Sequence, residues 1–488
     1  MNNSRAWTIS AILFLTALFL VLCQHWGLSF TNADDPWISQ LGIQGSISEA
    51  KRQGRFWLIP ITLLMQIPYL FDSWAIVNIT KIAVNGFTLL SFVLFCSKLG
   101  NKHTGILIGL VWLALIDISP SNYSPIHGYL LMFNLQFAFL FMSLYSFIHL
   151  LERNDPTKII VTPYLLFAFA ILAYEPMFFY SMAFPALYLY KQNQEPNITL
   201  KFSFSAHVRK FLSKNFTLVI VLILYVLIFF GFRKVYETPT IRGIDLGGNL
   251  IEALSTIYRF SIYGFHIQLK PFNGSILEVY SRTTIFFSTA YAVLISLGLF
   301  FILPRIKDEL VPSTLYQKRS LLVLGFFIFS PNILFGLVEG YRKWAANDPH
   351  YVGNYFSSFP LAIAIALLLI YLVGGKKSQH EKILFLLILS VFFISSFNNY
   401  LRWGNLAEIN RRGTILWEKT LKQLNQESFD PHRQNLLCAI NAPKQYITGD
   451  DQYWSKYLSQ KYSTDILYSS NKVSTASCDL VLNFNKIP

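Results

Sequence analysis

Charge is scarce in this chain. Its 40 Lys and Arg and 26 Asp and Glu make up 14% of 488 residues, where a soluble globular protein carries about 25%. That shortage excludes an ordinary water-soluble globule. Cysteine is scarcer still. Four residues, with no C-x-x-C or H-x-x-x-H spacing, provide neither a disulfide scaffold nor a zinc site, so no metal is expected. The nucleotide fingerprints G-x-G-x-x-G and G-x-x-x-x-G-K-S/T are both missing, which argues against a soluble nucleotide as substrate, fuel or cofactor. Internal repeats and low-complexity tracts are also missing. The net charge is +14, yet no basic stripe interleaves with exposed aromatics, so nucleic acid is not an expected partner.

What fills the space is apolar. Hydrophobic residues reach 53%, with 44 Phe, 26 Tyr and 10 Trp, and the mean hydropathy is +0.42. Apolar runs of 13 to 24 residues, bracketing the roughly 20 that cross a hydrocarbon core as a helix, recur along the chain. They fall near 7–29, 76–97, 104–118, 127–150, 159–172, 178–190, 216–232, 284–303, 320–337, 358–374 and 383–399. The expected fold is therefore an all-α polytopic membrane protein of about 11 spans. Residues 56–71 are apolar but interrupted by Pro60 and Pro68, and are expected to lie at the interface.

An odd number of spans separates the termini, and basic residues decide the orientation. Arg5, Lys98, Lys102, Arg153, Lys158, the 191–215 segment, Arg305, Lys307, Lys318, Arg319, Lys376, Lys377 and Lys382 would share one side. Their density is about three times that of the loops opposite, which predicts a cytoplasmic N-terminus and a periplasmic C-terminus in a bacterial inner membrane. The run ending in Leu22-Cys23 resembles a lipoprotein cleavage site. Leu22 is too large for that role, and the first helix is expected to be retained. Lys201, Arg209, Lys210 and Lys214 read as an anchor facing anionic lipid.

Residues 1–399 form the expected transmembrane domain, with outer loops at 30–75, 233–283 and 338–357. Residues 400–488 change character: a helix is predicted over 405–425, then strands over 436–440, 466–468 and 480–484, making a small α/β domain. Cys438 and Cys478 lie there, on the side where disulfides persist, and are expected to pair. The closed loop would contribute roughly 3 to 4 kcal/mol on the chain-entropy view.

The residues that could carry chemistry gather on the outer side. Asp34 and Asp35 stand side by side just beyond the first helix, where mutual repulsion and low dielectric raise one carboxylate toward a useful base. Pro36 restricts Asp35 to extended geometry, which favours Asp34. Glu49, Lys51, Arg52 and Arg55 follow, and guanidinium groups suit phosphate oxygens. Lys81 lies inside the second span, Asp117 closes the third, and Glu175 sits in a very short outer turn; charges in such places are costly and usually functional. Arg342, Lys343 and His350 occupy a loop rich in aromatics that could stack on a sugar. Tyr258, Arg259 and His266 are weaker candidates.

These features together resemble a known class. The acidic pair Asp34-Asp35 opening the first outer loop, the 49–55 stretch with Gly54-Arg55, the interfacial segment, eleven or so spans and an outer terminal domain are similar to the GT-C polyprenyl-phosphate-sugar glycosyltransferases. Within that class the layout looks most like the O-antigen glucosyltransferases of serotype-converting bacteriophage. The resemblance implies a sugar donor on undecaprenyl phosphate, an O-antigen hydroxyl of lipopolysaccharide as acceptor, and separate proteins that make and flip the donor. It also implies inversion at the anomeric carbon. Asp34, Asp35 or Glu49 would act as base, and Arg52, Arg55, Lys81, Glu175, Arg342, Lys343 and His350 would contact donor phosphate or substrate. Two other readings stay open from the residues: a flippase or transporter for a lipid-linked sugar, and an O-antigen polymerase.

Overall fold

A computed structural model describes residues 3–24, 26–28, 38–39, 41–56, 58–71, 73–116, 131–152, 161–172, 174–192, 215–236, 249–262, 280–306, 314–347, 352–373, 379–440, 451–469 and 478–483. Each of the eleven apolar runs falls on a helical element. In chain order the helices are α1 (Asn3–Cys23), α2 (Gly42–Gln53), α3 (Leu58–Gln66), α4 (Trp74–Leu99), α5 (Lys102–Leu115), α6 (Met132–Glu152), α7 (Thr162–Ile171), α8 (Ala183–Gln192), α9 (Phe216–Val235), α10 (Leu250–Ile262) and α11 (Arg282–Ile306). They continue as α12 (Thr314–Phe329), α13 (Ile333–Gly336), α14 (Glu339–Asn347), α15 (Val352–Val373) and α16 (Gln379–Leu424). Tight 3₁₀ turns, Ile67–Phe71, Glu175–Met182 and Ser330–Asn332, extend α3, precede α8 and separate α12 from α13.

Seven described helices are long and apolar enough to cross a bilayer: Arg5–Cys23, Trp74–Leu99, Met132–Glu152, Phe216–Val235, Arg282–Ile306, Gly353–Val373 and Lys382–Asn405. Lys102–Leu115, Thr162–Ile171 and Leu322–Gly336 are apolar but shorter. Burial accounts for the difference in α5. Every residue from His103 to Leu115 is buried, so this helix is surrounded by protein and need not match the lipid thickness. Its start is fixed by Asn101, whose side chain accepts from the backbone N–H of His103 and Thr104, both at 2.9 Å. The α12–α13 break at Pro331 is held by Asn332, which donates to Ser261 Oγ at 2.9 Å and Ser357 Oγ at 2.7 Å.

The core is aromatic. Phe92, Phe137, Phe141 and Phe359 meet with ring centroids 4.6–5.7 Å apart, and Trp112 stacks on Phe359. Such pairs add about 0.5–1.5 kcal/mol each beyond the area they bury. At one face Glu152 of α6 receives Lys98 of α4 at 2.5 Å and Lys191 of α8 at 2.9 Å. The opposite face carries the terminal domain and is called the tail side below.

On the tail side the predicted helix over 405–425 is not a separate element. It continues the last span as the single 46-residue α16. Buried Tyr400, Leu401 and Trp403 keep the helix packed through the join, with Tyr400 and Trp403 on the Tyr291 ring of α11. Beyond it β1 (Asn435–Ile440), α17 (Asp451–Tyr462), β2 (Ile466–Ser469) and β3 (Leu480–Asn483) form a parallel sheet in the order β2-β1-β3. Asn435 pairs with Ile466, and Leu437 with Leu480. Trp417 of α16 stacks on Trp454 of α17 at 3.7 Å between centroids, and Leu421, Leu424, Leu437, Leu458, Ile466 and Leu482 close around them. Cys438 and Cys478 are joined, with their Cα atoms 5.9 Å apart.

Candidate functional site

The site begins where α2 ends. Gly54 takes a left-handed conformation with φ +61°, which a residue with a side chain adopts only with strain. Its N–H bonds the Lys51 carbonyl at 3.1 Å, and that of Arg55 bonds Ala50 at 2.9 Å. This cap turns Arg55 inward, leaving it 9% exposed. Its Nε lies 3.5 Å from Glu175 Oε1. Glu175 is the first residue of the 3₁₀ turn and is followed by Pro176, while Tyr174 before it is extended.

Two tyrosines complete the contact. Tyr341 of α14 hydrogen-bonds Arg55 and shares a 3.1 Å O–H···O bond with Tyr174. Burial disfavours the Arg55 charge, but Glu175 together with Tyr341 and Tyr174 outweighs it and holds the guanidinium above its usual range. Arg233, near the end of α9, feels the attraction of Glu175 and the repulsion of Arg55. Its stem lies over Gly54, where a Cβ would meet Arg233 Cγ at 3.6 Å, and its guanidinium carbon is 4.9 Å from the Phe229 ring centre. Lys51 Nζ stands 5.1 Å from the Tyr236 ring centre, at the end of the same helix. Two cations, Arg55 and Arg233, thus share one carboxylate, a net charge of about +1 walled by Phe56, Phe178 and Tyr225.

The other candidates fall in different places. Asp34, Asp35, Asp117, His266 and His350 lie outside the described residues. Glu49 is buried but turned to its own helix, where Arg52 Nε donates to Oε2 at 2.8 Å and Gln53 donates to Oε1. Both of its carboxylate oxygens are engaged by these two side chains. The Arg52 side chain is 59% exposed. Lys81 is 2% exposed in α4; one turn on, Asn85, Thr88, Trp112 and Tyr355 border a small cavity between α1, α4, α5 and α15. Arg342 donates from Nη1 to the Gly336 carbonyl at 3.2 Å and lies 3.9 Å from Glu252 of α10. Lys343 is exposed and paired with Glu339 at 2.7 Å. Among the described residues no group of three or more His, Cys, Asp or Glu could hold a metal ion.

Arg55 and Glu175, chosen on separate grounds and 120 residues apart, therefore share one site. Sequence reasoning missed Arg233, Tyr174 and Tyr341 as members of it. The Arg233-Lys234 pair ending an apolar run reads as an interfacial anchor. Its nearness to Glu175 depends on how α9 packs against α7 and the 3₁₀ turn.

No family model matches the chain, and no curated protein matches it in sequence. Among solved structures, the Archaeoglobus fulgidus oligosaccharyltransferase in the apo form is similar with a TM-score of 0.40 and 11% identity, covering 94% of this chain and 64% of that one. The archaeal oligosaccharyltransferase AglB from Archaeoglobus fulgidus, in complex with an inhibitory peptide and a dolichol-phosphate, gives a TM-score of 0.38 and 10% identity over the same shares. The chain thus spans 64% of the length of each. Both scores are too low to transfer a function.

Proposed function

We propose that this chain is a GT-C-type membrane glycosyltransferase that moves a sugar from undecaprenyl phosphate to an O-antigen hydroxyl at the periplasmic face, with glucose as the first sugar to test. The observation that supports this reading is the buried Arg55–Glu175 pair with Arg233 beside it. An excess of positive charge at a membrane boundary, ringed by aromatics, suits a lipid phosphate. The tail side is then periplasmic and the N-terminus cytoplasmic, in the inner membrane.

The chemistry follows in one displacement. Asp34, or its neighbour Asp35, takes the acceptor hydroxyl proton as the oxygen attacks the anomeric carbon. The bond from that carbon to the phosphate oxygen breaks, the configuration inverts, and undecaprenyl phosphate departs with one more negative charge. Arg55 and Arg233 neutralise that charge, and Glu175 holds Arg55 in place before the phosphate arrives. Separate proteins would synthesise the donor and bring it across.

The test uses purified full-length protein with undecaprenyl-phosphate-glucose and O-antigen lipopolysaccharide, reading added hexose by mass. Asp34→Asn should lower the rate by about 10² to 10⁴, the usual cost of losing a general base, with thermal stability unchanged. Asp35→Asn, made beside it, identifies which of the two serves. If both variants transfer at the wild-type rate, the acidic pair is not the base. If the wild type uses no polyprenyl-phosphate sugar, the enzyme reading fails.

A further inference from the structure

A second contact on the tail side ties α16 to the end of α1. Arg411 donates from both Nε and Nη2 to the Trp26 carbonyl oxygen, each at 3.1 Å. The Trp26 N–H bonds the Cys23 carbonyl at 3.1 Å, closing the last turn of α1. Trp26 lies three residues past the end of α1, and the guanidinium donates two N–H groups to its carbonyl, a charge-assisted contact.

The next residue is shaped for the same contact. Gly27 has φ +76°, and a Cβ there would come within 3.1 Å of Arg411 Nε and 3.3 Å of its Cδ. Leu28 then turns inward and is fully buried. Lower down, Tyr400 donates to the Leu20 carbonyl at 3.1 Å, so α16 is fastened to α1 at two levels. Arg411 stands six residues before Trp417, the residue of α16 that stacks in the tail core. One unbroken helix therefore links the packed tail to the point where the chain leaves α1.

We propose that Arg411 is a positioning residue: by gripping Trp26 it fixes where the segment carrying Asp34 and Asp35 starts. Asp34 follows Gly27 by seven residues, a tether that reaches at most about 25 Å, so a pinned start limits where the acidic pair can go. The consequence for catalysis rests on the glycosyltransferase reading; the grip itself does not.

The experiment compares full-length wild type, Arg411→Ala and Arg411→Lys by hydrogen–deuterium exchange and by transfer kinetics. In Arg411→Ala, peptides covering 24–40 should exchange about tenfold faster while tail peptides from 435–440 and 451–469 stay unchanged, as expected for loss of one charge-assisted bond. Transfer should lose kcat with KM for the donor held within about twofold, since the phosphate site is untouched. Arg411→Lys keeps the charge without the fork and should restore part of both. Unchanged exchange at 24–40, or exchange rising equally in the tail, overturns the proposal. A wild type with no transfer but a clear 24–40 contrast would sink the enzyme reading and leave the grip established.

Discussion

Replacing Glu175 with Gln keeps the shape of the Arg55 contact and removes its charge, so two effects of opposite sign should appear. Across 3.5 Å, the attraction is about 5 kcal/mol at an effective dielectric of 20. Glu175→Gln leaves a neutral amide oxygen facing Arg55, and Tyr341, itself bonded to Tyr174, remains on Arg55. The net loss should therefore be about 2–4 kcal/mol, toward the lower end of what breaking a buried pair costs. Arg233 adds to it, because its repulsion with Arg55 is no longer offset. The unliganded variant should melt several degrees lower. Its affinity for a lipid phosphate should rise, because Glu175 no longer competes for Arg55, and a tenfold gain in Kd corresponds to about 1.4 kcal/mol. Thermal shift of the purified protein against undecaprenyl phosphate, in one detergent at low salt, reads both quantities. Arg55→Gln is the control and should lose the phosphate-dependent shift. If Glu175→Gln melts with the wild type, or binds the phosphate more weakly, the competition between carboxylate and phosphate is wrong.

Two further outcomes concern the tail. Replacing Cys438 and Cys478 together with Ser opens a loop of separation 40 and should destabilise the tail by roughly 3 to 4 kcal/mol while sparing transfer in protein that still folds; labelling of both thiols in the unreduced wild type would deny the bond. Tyr462 donates to Asn425 Oδ1 at 2.9 Å, and burial pushes its phenol up from 10.0 to about 12. The fold favours the neutral phenol, so this contribution is complete below pH 10 and disappears as the pH rises through 12. Tail unfolding followed by tryptophan emission should lose more stability over that window in wild type than in Tyr462→Phe; equal losses would refute it.

The helical layout was readable because an apolar run long enough to cross a membrane has few alternatives. Length alone could not tell α5, buried on all sides, from a lipid-facing span. The tail strands showed through their composition, but the parallel order β2-β1-β3 depends on α17 crossing between β1 and β2. The site was legible residue by residue rather than as a constellation. Glu175 stood out as a charge in a costly place and Arg55 as a guanidinium suited to phosphate, whereas Glu49 looked just as available and is held by Arg52 and Gln53 of its own helix. Lys343 and Arg342 are neighbours in sequence, yet one faces solvent with Glu339 and the other packs on Gly336. No pattern of residue types separates such cases, because the difference lies in which face of a short helix meets the rest of the protein.

The unbroken α16 also acts as a lever. About 24 of its residues extend past Tyr400, roughly 36 Å of rigid rod, so a tilt of about 5° within the bilayer moves the far end by about 3 Å. Spans tilt to match the thickness of the lipid around them. If α16 tilts with the bilayer, membrane thickness becomes displacement of the tail, and the Tyr400 and Arg411 contacts at the end of α1 set how far it can go.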